Sequence, residues 1–412
     1  MEKKAERSIR ILMVVENCPY SRDPRVRKEA AALVASGHKV AIICPADTNN
    51  RRFDLKGVTL HEFPIWKSTR TVIGYLVEYV YAMLAISVLT FSVWVRAGFD
   101  VIHIANPPDC VVLLLAAYKL IGKTLIYDQH DISPELYAAK FGRNKWFSRL
   151  LLELERHSYR SADHVIVTNE SYKEHAMRRG ALSESKITVV RNGPDLADLR
   201  ISEGDVELRR KSPNIIAFAG VTGIQDGLDG LCSALHHLRY RLGVTEFLCI
   251  VLGDGDGLAS AKSLARELQI EGNMWFAGWV ADPKEYAAYI ATADICVAPD
   301  PFNSYNDRST FLKIMEYMAA RKPIVGFDLR ETRVSAQDAA LYARAGDNED
   351  FAQKIAALIA NPELRHRMGI RGAARVQEKL AWQYSIPGLM RVYGELTGAS
   401  FAVVGRPVSP AP

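Results

Sequence analysis

The sequence predicts an α/β protein built from two doubly wound parallel-sheet domains. Three observations predict it. Short apolar runs rich in Val and Ile alternate with longer helical stretches from residue 9 to about 190. The same alternation restarts near residue 215, after a charged interruption without apolar periodicity. The length of 412 residues exceeds what one core normally organises.

The elements follow in order. Ile9-Arg-Ile-Leu-Met-Val-Val15 reads as the first strand. A helix spans about 24–36, with Pro24 suited to its first turn and Gly37-His38 ending it. Strands are expected at 39–44 and 58–63, then a long apolar helix over 72–95. A strand at 101–104, a helix through 120, a strand at 124–127, a helix at 145–161 and a strand at 164–167 continue the rhythm. Residues 195–213 read as a linker. Strands at 215–219, 247–252, 274–276, 295–298 and 324–327 make the second sheet, closed by helices over 351–379. The expected division is 1–200 as a first domain and 201–379 as a second. Residues 380–412 then form a C-terminal helix, which can pack back on the first domain, and a disordered Pro- and Gly-rich tail.

Composition excludes several classes. A net charge of +5 is too mild to argue for nucleic acid. The six cysteines form no C-x-x-C pair and several sit in apolar strands, which points to reduced structural thiols rather than a disulfide or zinc framework. The charged N-terminus does not resemble a secretory signal, so a cytoplasmic location is expected. Residues 72–95 are long enough to cross a bilayer, with Glu78 their one charge. A span would put flanking strands of one sheet on opposite sides of a membrane, so a helix packed on the sheet is expected. Basic residues beside Trp146 and Phe147 (Lys140, Arg143, Lys145, Arg149) suit peripheral contact with an anionic membrane face.

Residues 309–328 carry the chemistry. At helical spacing Ser309, Lys313 and Glu316 share one face of an otherwise apolar helix between two buried strands. A carboxylate there is costly to bury unless partners occupy its lone pairs, and two adjacent hydroxyls, as in a ribose diol, suit it. A helix N-terminus at Ser309 and Thr310 would offer free N–H groups to a phosphate. The alternative is a plain i,i+3 ion pair between Lys313 and Glu316. Gly253-Asp-Gly-Asp-Gly257 lacks the third glycine of a dinucleotide fingerprint and reads as a tight turn. His130-Asp131 and Asn106 follow strands, whose carboxyl ends carry ligands in parallel sheets. Histidine there can donate a hydrogen bond and titrate near neutrality, whereas His103, inside a strand, reads as a core residue. Arg25 and Arg27 at a helix start either reach an anionic acceptor or lie solvated.

Three segments, Asp128-Gln-His-Asp-Ile-Ser-Pro-Glu135, Val190-Arg-Asn-Gly-Pro-Asp195 and Asn306-Asp-Arg-Ser-Thr-Phe-Leu-Lys-Ile-Met-Glu-Tyr-Met-Ala320, together resemble glycosyltransferase family 4, over nearly the whole chain. The resemblance implies a GT-B fold, two Rossmann-like domains facing across a cleft. It implies retaining transfer of a sugar from a nucleotide diphosphate, without an obligatory metal or cofactor. Glu316 matches the second acid of the family's E-x7-E motif, the ribose ligand. The first acid is replaced by Arg308, which either approaches a phosphate or faces solvent. The Arg and Lys that the family uses on the diphosphate are missing from Gly220-Val-Thr-Gly-Ile-Gln-Asp-Gly-Leu228. Lys313, Arg308, the Gly220–Gly223 backbone and the 309 helix start remain as phosphate ligands, with Asp226 as a helix cap. His130 and Asp131 stand where the family sets a histidine against the donor sugar, while Asn106 and Arg25 fall on the acceptor side. Expected partners are a UDP-sugar, with a GDP-sugar as second choice, and a saccharide or polyprenyl-linked acceptor of a cell-surface polymer. A nucleotide-sugar epimerase of the same fold and a non-catalytic nucleotide-sugar-binding subunit are the competing readings.

Overall fold

The computed structural model describes residues 8–65, 72–142, 144–196 and 203–398. The chain forms two compact units, one of residues 1–191 with 383–412 and one of residues 192–382.

The first unit holds a seven-stranded parallel sheet, in the order β3-β2-β1-β4-β5-β6-β7. Its strands are β1 (Arg10–Val15), β2 (Lys39–Pro45), β3 (Val58–Phe63), β4 (Val101–Ala105), β5 (Thr124–Gln129), β6 (His164–Val167) and β7 (Ile187–Val189). β1, β4 and β5 are buried almost throughout, which explains their continuous apolar runs. The strand order reverses between β1 and β4. The C-terminal helix Ile386–Thr397 packs on β7 and on the first helix, Pro24–Ala35. Asp23 caps that first helix by accepting from the Arg25 and Val26 N–H groups.

The long helix Val72–Arg96 lies against β2, β3 and the short helix Cys110–Leu115. Ala82, Ile86, Thr90 and Val93 form its buried side. Its opposite side is also apolar but open: Val77, Val80, Leu84, Val88, Phe91 and Val95 are all exposed at helical spacing. By length and composition it is the one helix among the described residues able to cross a membrane. The packed-helix expectation accounts for its inner side, and the outer stripe is a feature that composition alone does not resolve.

The second unit holds a six-stranded parallel sheet, in the order β10-β9-β8-β11-β12-β13. The strands are β8 (Ile215–Ala219), β9 (Leu248–Leu252), β10 (Met274–Gly278), β11 (Ile295–Ala298), β12 (Ile324–Phe327) and β13 (Ala340–Ala343). Two apolar clusters cover its faces, one around Phe218, Leu231 and Phe351, the other around Ile250, Met315 and Tyr317. The reversal of order falls between β8 and β11.

Several expectations are corrected here. The linker reading of 195–213 fails at its end, because Val206–Lys211 is helical, capped by Asp205 and anchored by buried Leu208. β7 and β13, each short, went unread. Helical stretches at Ser133–Phe141 and Glu170–Gly180 fill gaps between strands that lacked a clear apolar period. The helices expected over 351–379 are present, as Asn348–Ala360 and Pro362–Arg375, separated where Asn361 caps the second. The expected disordered tail and Arg143 lie outside the described residues.

Candidate functional site

In the second unit, the carboxyl ends of β8 and β11 meet the helix Leu312–Ala319. Tyr317 ties this helix to the sheet: its hydroxyl accepts from the Ala219 N–H at 2.7 Å at the end of β8. Gly220 follows, exposed and at φ +147°, with space beside it shared only by Lys313 and Phe218. Gly253, after β9, is required by close backbone approach, because a Cβ there would sit 1.8 Å from the Gly220 carbonyl oxygen. The glycine-rich turn is thus a packing device.

Lys313 is buried, and its Nζ donates to Asp300 Oδ1 at 2.6 Å. Its ammonium also lies 4.9 Å and 5.0 Å from the ring centres of Phe218 and Phe311. Burial raises the Asp300 carboxyl, and Lys313 only partly offsets this. Lys313 therefore pairs with Asp300, two residues beyond β11, and not with Glu316. Glu316 is half-buried, and its Oε2 accepts from the Tyr286 hydroxyl at 2.9 Å. Burial and the Glu316 charge hold the Tyr286 phenol well above its ordinary range, so it stays a donor.

The expected helix start is corrected. Ser309 and Thr310 precede the helix, which begins at Leu312 after extended Phe311. Ser309 Oγ donates to the Tyr305 carbonyl at 2.8 Å, and Thr310 Oγ1 to Glu331 at 3.3 Å. Arg308 sits in a short turn of 3-10 helix and donates to the Ser304 carbonyl at 2.8 Å. Gly223 spends its N–H on Asp226 Oδ2 at 2.9 Å, so Asp226 closes this loop rather than capping the next helix, whose cap is Gly227.

In the first unit, Asp128 lies near the end of β5 and His130 is the first residue beyond it, in the bend that follows. His130 Nε2 and Asp128 Oδ2 are 2.6 Å apart. Arg25 grips the same carboxylate through Nε and Nη2, at 3.0 and 2.7 Å, and donates from Nη1 to the Val190 carbonyl. Glu29, one helical turn on, lies 3.1 Å from Arg25 Nε. His103 Nε2 is 3.4 Å from Asp128 and 3.5 Å from Glu29, while its Nδ1 meets the Tyr393 hydroxyl at 2.7 Å. Burial opposes charge on His130, but the Asp128 carboxylate prevails and raises it. Burial likewise opposes charge on Asp128, and Arg25 with His130 hold it well below the usual range. Glu29, Asp128 and His103 are close enough to ligate a cation. The Arg25 guanidinium already supplies positive charge there.

Two acceptor-side expectations are corrected. Arg25 is neither solvated nor open to a ligand, being only 2% exposed and consumed by Asp128, Glu29 and Val190. Asn106 is wholly buried; its amide N–H donates to Asp109 Oδ1 and the Asp131 carbonyl, and its oxygen accepts from the His130 and Asp131 N–H groups. Asn106 thus clasps the loop that carries His130 and Asp131. His103 is a core residue as expected, though within a charged cluster. Asp128, Glu29, Asp300 and Tyr286 were missed.

Models of two families match the chain: a glycosyl transferase 4-like domain over residues 23–193 and glycosyl transferases group 1 over 213–361. The chain belongs to this glycosyltransferase family. It is 24% identical to phosphatidyl-myo-inositol mannosyltransferase of Mycobacterium leprae, over 91% of this chain and 95% of that one. It is also 24% identical to MMP alpha-(1->4)-mannosyltransferase of Mycolicibacterium hassiacum, over 72% and 71%. Among solved structures it is similar to sucrose-phosphate synthase of Thermosynechococcus elongatus (TM-score 0.76, 17% identity, covering 96% of this chain and all of that one). It is likewise similar to Anabaena HepE in complex with UDP-glucose (TM-score 0.69, 16% identity, covering 94% and 100%). The fold of this glycosyltransferase is therefore GT-B.

Proposed function

We propose that this glycosyltransferase moves a hexosyl or N-acetylhexosaminyl group, with retention, from a nucleoside diphosphate sugar to a saccharide or polyprenyl-linked saccharide. The reading places it at the cytoplasmic face of a membrane, in the assembly of a cell-surface polymer, and needs no metal or cofactor. A UDP-sugar is favoured as donor. The relatives' names leave GDP-sugars as the competing choice, since one is called a GDP-mannose-dependent mannosyltransferase and HepE is in complex with UDP-glucose.

One observation carries it. Glu316 is half-buried on the helix beside Gly220, its Oε2 accepts from the Tyr286 hydroxyl, and a carboxylate has the lone pairs to accept the hydrogens of two adjacent ribose hydroxyls. Lys313, at the strand-order reversal of its own sheet, supplies the diphosphate's countercharge when it leaves Asp300. In the first unit, Asp128 occupies His130 Nε2, so Nδ1 is the nitrogen left to serve the sugar or the leaving oxygen. When the imidazole is charged, Nδ1–H donates; such a fixed donor stabilises developing negative charge without reorganisation. Glycosyl transfer then requires the acceptor hydroxyl and anomeric carbon to be held in line, which is an entropic contribution. The outer stripe of the Val72–Arg96 helix, with exposed Trp146 beside Lys145 and Arg149, supports peripheral contact with an anionic membrane.

A thermal-shift screen of UDP-, GDP- and ADP-sugars on the wild type and Glu316→Gln tests the donor assignment. The wild type should be stabilised by one base class and the variant much less. Equal stabilisation of both proteins removes Glu316 from the site. Nucleoside diphosphate release that depends on added acceptor then distinguishes a transferase from an epimerase.

A further inference from the structure

Three buried titratable side chains of the first unit have no part in the proposed sugar transfer: Glu29, His103 and Tyr393. All three stand behind His130. Glu29 is on the first helix, His103 on β4 and Tyr393 on the C-terminal helix. They are closed to solvent, as is Asp128, whereas the His130 side chain keeps an opening, at 17% exposure. The contacts fix where the hydrogens sit. His103 Nε2 lies between two acceptors, Asp128 Oδ2 at 3.4 Å and Glu29 Oε2 at 3.5 Å, so it carries the ring hydrogen. Nδ1 then accepts from the Tyr393 hydroxyl, whose proton is held well above the ordinary phenol range by burial and then by the Glu29 and Asp128 charges. In that tautomer His103 adds no charge. Glu29 has ionic contact with Arg25, but neither of its oxygens receives a well-aligned hydrogen bond among the described residues. A carboxylate so placed lacks the hydrogen bonds that normally secure a buried charge.

Charge balance decides what Glu29 can do. The Arg25 guanidinium and the Asp128 carboxylate cancel each other. Asp23 is spent on the helix N–H groups that it caps. Neither Tyr393 nor His103 contributes charge. Glu29 and His130 remain, and an uncompensated charge in such an interior is strongly disfavoured. The two are therefore both charged or both neutral, and each arrangement holds the same number of protons. The directions agree. Burial raises the Glu29 carboxyl, Arg25 opposes this and Asp128 adds to it, while a charged His130 draws it back toward the ionised form.

We propose that Glu29 sets the charge of His130. With Glu29 ionised, His130 is an imidazolium that donates from Nδ1. With Glu29 protonated, His130 is neutral and Nδ1 accepts. Glu29 touches no ligand; it is a positioning residue that acts through Arg25 and Asp128. The inference rests on the reading of His130 as the group that serves the sugar or the leaving oxygen. Negative charge growing beside Nδ1 favours the first arrangement. The proton that His130 gains is matched by the one that Glu29 releases, so the cluster stays neutral and no buried charge is left alone.

The full chain is compared as wild type, Glu29→Gln and Glu29→Leu, with the histidine rings isotope-labelled for NMR titration. Glutamine keeps the shape of the side chain, and leucine leaves no polar group stranded should the amide fold poorly. The His130 ring should titrate about one pH unit or more lower in both variants, because the matching negative charge is gone. The imidazolium is the form that donates to the leaving oxygen, so acceptor-dependent release of nucleoside diphosphate should lose its rate at correspondingly lower pH. At about pH 8 kcat should fall roughly tenfold, with the donor KM within about twofold of wild type. A merely structural role would lower the melting temperature and move neither the ring titration nor the rate profile. A folded variant whose His130 ring titrates as in wild type overturns the proposal. A shifted ring with an unshifted rate profile keeps Glu29 as the partner of His130 and instead overturns the reading of His130 at the sugar.

Discussion

Replacing Asp128 by Asn tests the charged cluster of the first unit most directly. Asp128 is fully buried and the Arg25 side chain is 3% exposed. The change keeps the shape of the side chain but removes its charge. It leaves Glu29 as the one carboxylate in contact with the guanidinium, and burial raises that carboxyl toward the neutral form. Breaking one partner of a buried pair costs about 3–5 kcal/mol, because the other charge stays buried without compensation. For a unit of this size each kcal/mol moves the melting temperature by about 2–4 °C, so a fall of roughly 6–20 °C is expected. The loss should depend on pH. His130 is raised by Asp128, so its contribution is complete below the ordinary histidine range and is lost as pH rises through the raised value. The gap between wild type and variant should thus be widest near pH 6 and narrow above it. Differential scanning calorimetry at several pH values, with NMR titration of the His130 ring, reads both effects. The double change Arg25→Met with Asp128→Leu should cost less than the single one, because no charge is then stranded between those two positions. A single-variant loss below about 1 kcal/mol, or an unmoved His130 titration, would refute the reasoning.

The other predictions are as follows. Tyr286→Phe removes the hydroxyl that fixes Glu316 Oε2 and should weaken UDP or GDP binding about five- to tenfold, the equivalent of about 1 to 1.4 kcal/mol. Unchanged calorimetric affinity would mean that Glu316 needs no such support. Lys313→Met should weaken nucleoside diphosphate binding far more than nucleoside binding, and wild-type binding should take up a proton as Asp300 loses its cation. Calorimetry in buffers of different ionisation enthalpy reads this proton, and equal losses for both ligands would count against Lys313 as the phosphate ligand. Leu84→Glu with Val88→Glu, both on the open side of the long helix, should cut binding to phosphatidylglycerol vesicles at least tenfold while sparing UDP binding. Wild-type sedimentation with vesicles would assign that stripe another partner.

The sequence made the architecture legible because period and length carry it. A five-residue apolar run cannot be a solvent-exposed helix, and the long runs recur at the spacing of β-α-β units. Short β7 and β13 fall below that resolution, since three or four residues hold too little period. The site was legible only where one residue type had one use. Glu316 was singled out because a carboxylate on an apolar helix has few satisfactory partners, and the structure gives it the Tyr286 hydroxyl as one. Arg25, Asn106 and Ser309 were misplaced for the converse reason: each is a polar residue at a strand end or helix start, where ligand contact and internal bracing look alike in one dimension. Their partners lie far along the chain, as with Arg25 and Asp128, 103 residues apart. Only folding shows that the donors are already spent.

The missing cations after β8 follow the same logic. A diphosphate needs countercharge, but the chain need not supply it from the loop where relatives of this fold are expected to carry it. Lys313 approaches that loop from the facing helix, with its stem beside Gly220. Its partner Asp300 is almost fully buried, and burial already favours the protonated acid. Freeing Lys313 therefore does not strand a second charge, because Asp300 can take a proton as the ammonium turns to the phosphate. The usual penalty of breaking a buried pair is then largely avoided. On the proposed assignment of Lys313 to the diphosphate, such a lysine is fixed within the fold before the nucleotide arrives, costs little to release, and returns to Asp300 when the diphosphate departs.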